Sequence, residues 1–253
     1  MNVAAVKIGS TTVSYLLAEE LDRPVRREAA VLNLLSRPDA ATALAATVKN
    51  WLEGGNPRPA RVLMAAGQAL RERPDLGRAL PIPVWTLTGS QEGHLTRLGI
   101  LASAPKTRGI LIDIGGGSTE IVDDAKSYSL RLGVERPVPE STAWPEISHD
   151  GGAAIIVGGT GRAASMLLGK KAYEPMSADE LVNLQRVVLR YGEAWLHARG
   201  ISDRRAALIA PGLTILNHIL AHYRLRQVYW SGQGLLEGIW LAASLGRGMC
   251  WSP

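Results

Sequence analysis

The segment Gly109 to Glu120, GILIDIGGGSTE, constrains the chain most. An apolar run this short, broken by one carboxylate and bounded by glycines, is a buried strand rather than a helix. Three glycines straight after it end the strand in a tight turn, because glycine reaches positive φ without a steric cost. Thr119 to Val122 then reads as the returning strand and Ser129 to Val134 as a third. The same arrangement opens the chain, where residues 3–8 and 12–18 are β segments joined by Gly9-Ser10-Thr11. A third apolar run, Ala153 to Val157, leads into Gly158-Gly159-Thr160-Gly161.

Other elements fall between these landmarks. Residues 40–52 have helical spacing and stop at Gly54-Gly55-Asn56-Pro57. RVLMAA at 61–66 is a buried strand, 69–73 a short helix, 81–87 a strand and 91–101 a helix. Residues 137–145 are proline-rich and read as a loop. Helices are expected at 162–169, 177–198, 203–222 and 233–246, with a strand at 227–230 before the last. Each hairpin is followed by further strands and then helices. The chain therefore reads as two related α/β lobes, residues 1–106 and 107–253, divided near SAPKTRG at 103–109.

Composition narrows the ligand. The net charge is +5 and the isoelectric point about 9.6, which favours anions. The basic residues are scattered, without the run that marks a nucleic-acid arm, so no nucleic-acid partner is expected. The single cysteine, Cys250, excludes a disulfide framework and a cysteine metal site. No apolar stretch approaches the roughly 18 residues of a membrane span, and the apolar stretch in MNVAAVKIG is too short for a secretory leader. The expectation is a soluble cytoplasmic protein with no membrane partner. The oligomeric state stays open, a homodimer included.

The chemistry centres on the turns. Gly115, Gly116 and Gly117 leave backbone N–H groups unshielded to wrap an anion, and Ser118 and Thr119 add hydroxyls. Asp113 and Glu120 flank the turn and suit a hard cation such as Mg²⁺. The bland alternative is a glycine hairpin with two solvated acids. Gly158, Gly159 and Thr160 make a second small-residue turn and Gly9, Ser10 and Thr11 a third. This constellation resembles the actin, Hsp70 and sugar-kinase superfamily, of ribonuclease H-like topology. That resemblance implies two lobes gripping phosphates in the cleft between them.

Within that superfamily the chain resembles the exopolyphosphatase and guanosine-pentaphosphate phosphatase (Ppx/GppA) family. DIGGGSTE at 113–120 matches the family's central motif unchanged. Ala69-Leu70-Arg71 resembles the end of its ATSALR segment, and LTGSQEGHLTRLG at 87–99 its ISGEEEARLIYLG. Val157 to Thr160 resembles its glycine–threonine turn, RAALIAPG at 205–212 its RADVILAG, and SGQGLLEG at 231–238 its SxxGLREG. The resemblance implies Mg²⁺-assisted attack of water on a terminal phosphoanhydride of inorganic polyphosphate or guanosine pentaphosphate. It places Glu92 as the catalytic base and Arg71 among the phosphate ligands. From the residues alone, Glu92 is an acid that suits a helix N-terminus.

Several positions depart from the family pattern. Lys7 stands where the first turn, DIGTNS, has its aspartate, exchanging a carboxylate for a cation. Ala66-Gly67-Gln68 replaces ATS, His94 and Leu236 replace arginines, and Ala207 replaces an aspartate. These departures keep open a catalytically weak module that binds polyphosphate, an alarmone or a nucleotide. A different ATPase or kinase of the superfamily is the third reading.

Overall fold

Val3–Ile8 (β1), Thr12–Ala18 (β2) and Pro24–Val31 (β3) form an antiparallel meander, and Arg61–Ala66 (β4) and Val84–Thr86 (β5) continue the sheet in parallel. The strand order is β3-β2-β1-β4-β5. In this computed structural model, residues 1–104, 109–123, 126–139, 142–147 and 152–246 are described. Cys250, and parts of the expected 103–109 boundary and 137–145 loop, lie outside them.

The sheet is apolar on both faces, which is why VLMAA, after Arg61, is unbroken by polar residues. Ala4, Val6, Ile8, Val62 and Met64 pack with Leu44, Val48 and Trp51 of Ala40–Glu53 (α1). Val3, Ala5, Leu63 and Ala65 pack the other way, with Leu95 of Gly89–Ser103 (α4) and Ile239 and Trp240 of Leu235–Ser244 (α8). Two short helices, Gln68–Glu72 (α2) and Asp75–Arg78 (α3), follow β4. Strand β3 has no counterpart in the sequence reading, because PVRREAAV carries charge instead of alternation. Charged, partly exposed strands of this kind suit a sheet edge.

The second sheet has the order β10-β11-β9-β6-β7-β8. Its strands are Ile110–Ile114 (β6), Thr119–Val122 (β7), Ser127–Leu130 (β8), Ala153–Val157 (β9), Pro175–Ser177 (β10) and Gln227–Trp230 (β11). From β8 to β11 it repeats the first: a three-strand antiparallel meander, then two strands parallel to its innermost member. Gly158–Leu167 (α5), Ala178–His197 (α6) and Asp203–His222 (α7) supply its core, through residues such as Ala164, Leu181, Val188, Leu213 and Leu216. The third strand ends at Leu130 instead of Val134, because residues 132–136 fold back onto the glycine turn. No helix among the described residues is long and apolar enough to cross a membrane.

The chain divides into two compact units, Met1–Thr107 with Gln233–Pro253, and Arg108–Gly232. The expected second lobe, 107–253, is therefore too long at its end. Helix α8 packs in the first unit because glycines let two backbones meet. A Cβ on Gly238 would lie 1.9 Å from the Leu95 carbonyl oxygen, and one on Gly99 2.0 Å from that of Gly234. Trp240 Nε1 donates to the Val3 carbonyl at 3.1 Å, and Arg61 Nη1 to that of Ala243 at 2.9 Å. Gly238→Ala should thus cost about 2–3 kcal/mol in urea unfolding, as overpacking between two backbones does. A cost below about 0.5 kcal/mol, the range of surface substitutions, would mean that α4 and α8 part without penalty.

Candidate functional site

The Gly115–Ser118 turn is held from one side. The Gly115 N–H donates to the Ser118 carbonyl at 2.8 Å and closes the turn. The carbonyls of Gly115 and Gly116 accept from the N–H groups of Val134 and Glu135, at 3.0 and 2.9 Å. That of Gly117 accepts from Arg136 Nε at 2.8 Å. Each peptide is planar and trans, so its N–H points opposite to its C=O. The N–H groups of Gly116, Gly117 and Ser118 therefore face away from the 132–136 loop, in the arrangement that receives an anion. Thr119, expected among the phosphate ligands, has another task. Its side chain is fully buried and its hydroxyl donates to the Leu132 carbonyl at 2.6 Å, pinning the loop.

Asp113 and Glu120 are direct cross-strand partners on β6 and β7. They are only 8% and 4% exposed. Like charges directly opposed in a sheet repel, and burial strengthens the repulsion. Glu120 Oε1 also accepts from Ser129 Oγ at 2.8 Å. Among the described residues no group of three His, Cys, Asp or Glu gathers around one point. Two carboxylates fit Mg²⁺, which takes one or two from protein and fills its remaining positions with water and phosphate oxygens.

Gly158-Gly159-Thr160 is the first turn of α5 rather than a turn preceding the helix. Gly158 has φ +77, a conformation that turns β9 straight into the helix and that glycine adopts without strain. No side chain among the described residues caps this end, which leaves its first N–H groups and the positive end of the helix dipole without a capping side chain there. Asp113 lies against it: a Cβ on Gly158 would be 3.0 Å from Asp113 Oδ1. Thr160 is buried against α7, where a Cβ on Gly212 would come within 2.5 Å of its hydroxyl. That contact seats Thr160 against α7.

Arg205, on the first turn of α7, has no role in the sequence reading. A Cβ on Gly159 would lie 3.1 Å from its Nη1, so the guanidinium covers the start of α5. Burial, and then the charge of nearby Arg162, push its pKa below the usual arginine value. A partly desolvated cation beside a second cation and a helix N-terminus is a place for an anion. Its signal in the sequence was its position at the head of RAALIAPG, which the resemblance matched without giving the arginine a role.

In the first unit, the Gly9–Thr11 turn repeats this construction. The Gly9 N–H donates to the Thr12 carbonyl at 3.1 Å. The Ser10 carbonyl accepts from Leu34 N–H at 2.6 Å, and that of Thr11 from Leu32 and Asn33 N–H at 2.8 and 3.1 Å. The segment after the third strand again takes the turn's carbonyls and directs its N–H groups the other way. Thr11 Oγ1 and Asn33 Oδ1 are buried without a hydrogen-bond partner among the described residues. Lys7 projects towards the turn, its Cε 3.8 Å from where a Gly9 Cβ would be.

Glu92 lies in the first turn of α4, behind a capping box of Thr88 and Gln91, and is 8% exposed. Its Oε1 accepts from Arg71 Nη1 at 2.7 Å. The same Nη1 donates to the Leu87 carbonyl at 2.5 Å. Gly67 makes room for this: a Cβ there would fall 2.0 Å from Glu92 Oε1. The departure from ATS thus removes not only a hydroxyl but the whole side chain whose space Glu92 occupies. Of the remaining departures, Leu236 is core, packed with Leu95 and Trp240, while His94 and Ala207 are exposed.

Residues 58–137 match the model of the Ppx/GppA phosphatase family, a stretch that holds Arg71, Glu92, Asp113, the glycine turn and Glu120. Among solved structures, an exopolyphosphatase from Cytophaga hutchinsonii superposes with a TM-score of 0.79 at 16% identity, covering 98% of this chain and 99% of that one. An exopolyphosphatase-like protein superposes equally, at 0.79 and 19% identity, over 95% and 98% of the two chains. A Ppx/GppA family member from Aquifex aeolicus gives 0.73 at 19% identity, over 97% and 98%. At these identities the structural likeness establishes the shared fold.

Proposed function

We propose that this chain, a Ppx/GppA phosphatase family protein on the match at residues 58–137 and on its fold, hydrolyses the terminal phosphoanhydride of inorganic polyphosphate or guanosine pentaphosphate. The observation that carries the reading lies in the second unit. There the buried, opposed Asp113 and Glu120 stand beside a turn whose N–H groups are freed by the 132–136 loop. In this reading Asp113 and Glu120 hold Mg²⁺, which would neutralise charge on the phosphate oxygens. The N–H groups of Gly116, Gly117, Ser118 and the start of α5, with Arg205, bind and orient the phosphoryl group. On the family resemblance Glu92 is the general base, which would take a proton from the attacking water as the water oxygen bonds to phosphorus. The bridging P–O bond breaks, and the shortened chain leaves with the electron pair.

A binding module is the second reading, supported by the Arg71 clamp on Glu92 and by the cation at Lys7. The test is one assay set: inorganic polyphosphate, guanosine pentaphosphate and ATP, each with and without Mg²⁺, with phosphate release and binding both measured. Mg²⁺-dependent release from one of the first two is expected. Binding without release supports the module, and release confined to ATP points to another ATPase. Arg205→Ala should weaken binding of the cleaved compound about tenfold, the scale of one hydrogen bond to a charged group. Unchanged affinity would remove Arg205 from the site.

A further inference from the structure

As a phosphate ligand, the role on which this inference rests, Arg71 would use the fork of its guanidinium. The fork is the edge formed by Nε and one Nη, the part that grips two oxygens of a phosphate or carboxylate. In this protein the fork is already taken. Arg71 Nε and Nη2 both donate to Gln68 Oε1, at 3.2 and 2.8 Å. The opposite nitrogen, Nη1, serves Glu92 and the Leu87 carbonyl. Gln68 is held in turn, its amide NH₂ donating to Glu72 Oε1. Gln68, Arg71 and Glu72 all lie on α2, at spacings of three and four that place them on one face.

Length decides who can fill the fork. From position 68 a glutamine amide reaches Arg71 across one helical turn, whereas the serine of the ATS pattern is too short. The Arg71 side chain remains about a quarter exposed, at 27%, so a ligand can approach it. Gln68 is a neutral acceptor, and a phosphate oxygen is a charged one that bonds the same fork about twice as strongly. Exchange of one for the other is favourable, but less so than filling an empty fork.

We propose that Gln68 is an intramolecular stand-in for phosphate: it occupies the Arg71 fork, keeps Arg71 closed on Glu92, and sets an affinity threshold that a polyphosphate must exceed to enter. Gly67 belongs to the same device, since only a residue without a side chain lets Glu92 lie within reach of Arg71.

The test is calorimetric titration of the whole protein with sodium tripolyphosphate and with long-chain polyphosphate, without Mg²⁺, so that binding is read apart from turnover. Gln68→Ser should tighten binding about tenfold, and Gln68→Glu, which offers the fork a permanent carboxylate, should weaken it by a similar factor. Gln68→Ala vacates the fork with a better helix former and should match the serine variant. In an Arg71→Ala background, exchanging Gln68 for serine should change nothing, the coupling a double-mutant cycle reads. If Arg71→Ala weakens binding but neither Gln68→Ser nor Gln68→Ala tightens it, the stand-in is overturned while the phosphate reading holds. If no variant, and not the unmodified protein, binds either probe, with Mg²⁺ restored as well as without it, the phosphate reading falls and takes the stand-in with it.

Discussion

Glu92→Gln is expected to slow phosphate release by roughly 10²–10⁴-fold, the usual worth of a positioned general base. The amide keeps the shape of the carboxylate and still accepts from Arg71, so the turn of α4 and the packing over Gly67 should survive. What it loses is the ability to take a proton. Polyanion binding should tighten slightly, because Arg71 would no longer face a charge of opposite sign 2.7 Å away. The competing view makes Glu92 only the ion-pair partner of Arg71. In that case the substitution costs stability, seen in urea unfolding, and leaves turnover per folded molecule unchanged. Turnover within threefold of the unmodified protein, at saturating substrate and Mg²⁺, would end the general-base assignment.

Much of the fold was legible because its strands are buried on both faces. RVLMAA, GILIDI and AAIIV announce themselves as apolar runs, and the turns that follow them consist of glycine and small residues. The strands that escaped, β3 and β10, lie at sheet edges, where no continuous apolar run is required. The placement of α8 escaped for another reason. Its glycines match a family motif in sequence, but only the fold shows that Gly99 and Gly238 bring two helix backbones together within the first unit. In the candidate site, Asp113, Glu120 and the GGG turn were readable from local spacing. The 132–136 loop was not, since it acts through backbone N–H groups that any residue carries. Arg205 was not, because it meets Gly159 across 46 residues of chain. In the sequence Gly67 and Gln68 are only departures from the ATS segment. Their positive roles appear only where Glu92 and Arg71 are seen to fill the space and the bonds that the substitutions create.

The largest effect after Glu92 should come from Asp113→Asn, through the cation. With Asp113 and Glu120 opposed on β6 and β7, a divalent ion in the proposed site would join two buried carboxylates that otherwise repel. Replacing one by an amide removes half of the protein's charge at that point. It also replaces an anionic oxygen with a weaker donor for a hard cation. Lewis-acid stabilisation of a phosphoryl transition state is worth several kcal/mol, so Mg²⁺-dependent turnover should fall by roughly 10²–10³-fold. Thermal unfolding gives a second readout that needs no substrate. A ligand that binds only the folded state stabilises it by about 2.7 kcal/mol at 100 times its Kd, which for a chain of this size is several degrees. Mg²⁺ should therefore raise the Tm of the unmodified protein, a chelator should reverse the rise, and Asp113→Asn should lose most of it. Glu120→Gln should behave the same way, because the two carboxylates act as one site. An equal Mg²⁺-dependent rise in all three proteins would show that the ion binds elsewhere, and would leave the opposed carboxylates as hydrogen-bond acceptors within the sheet.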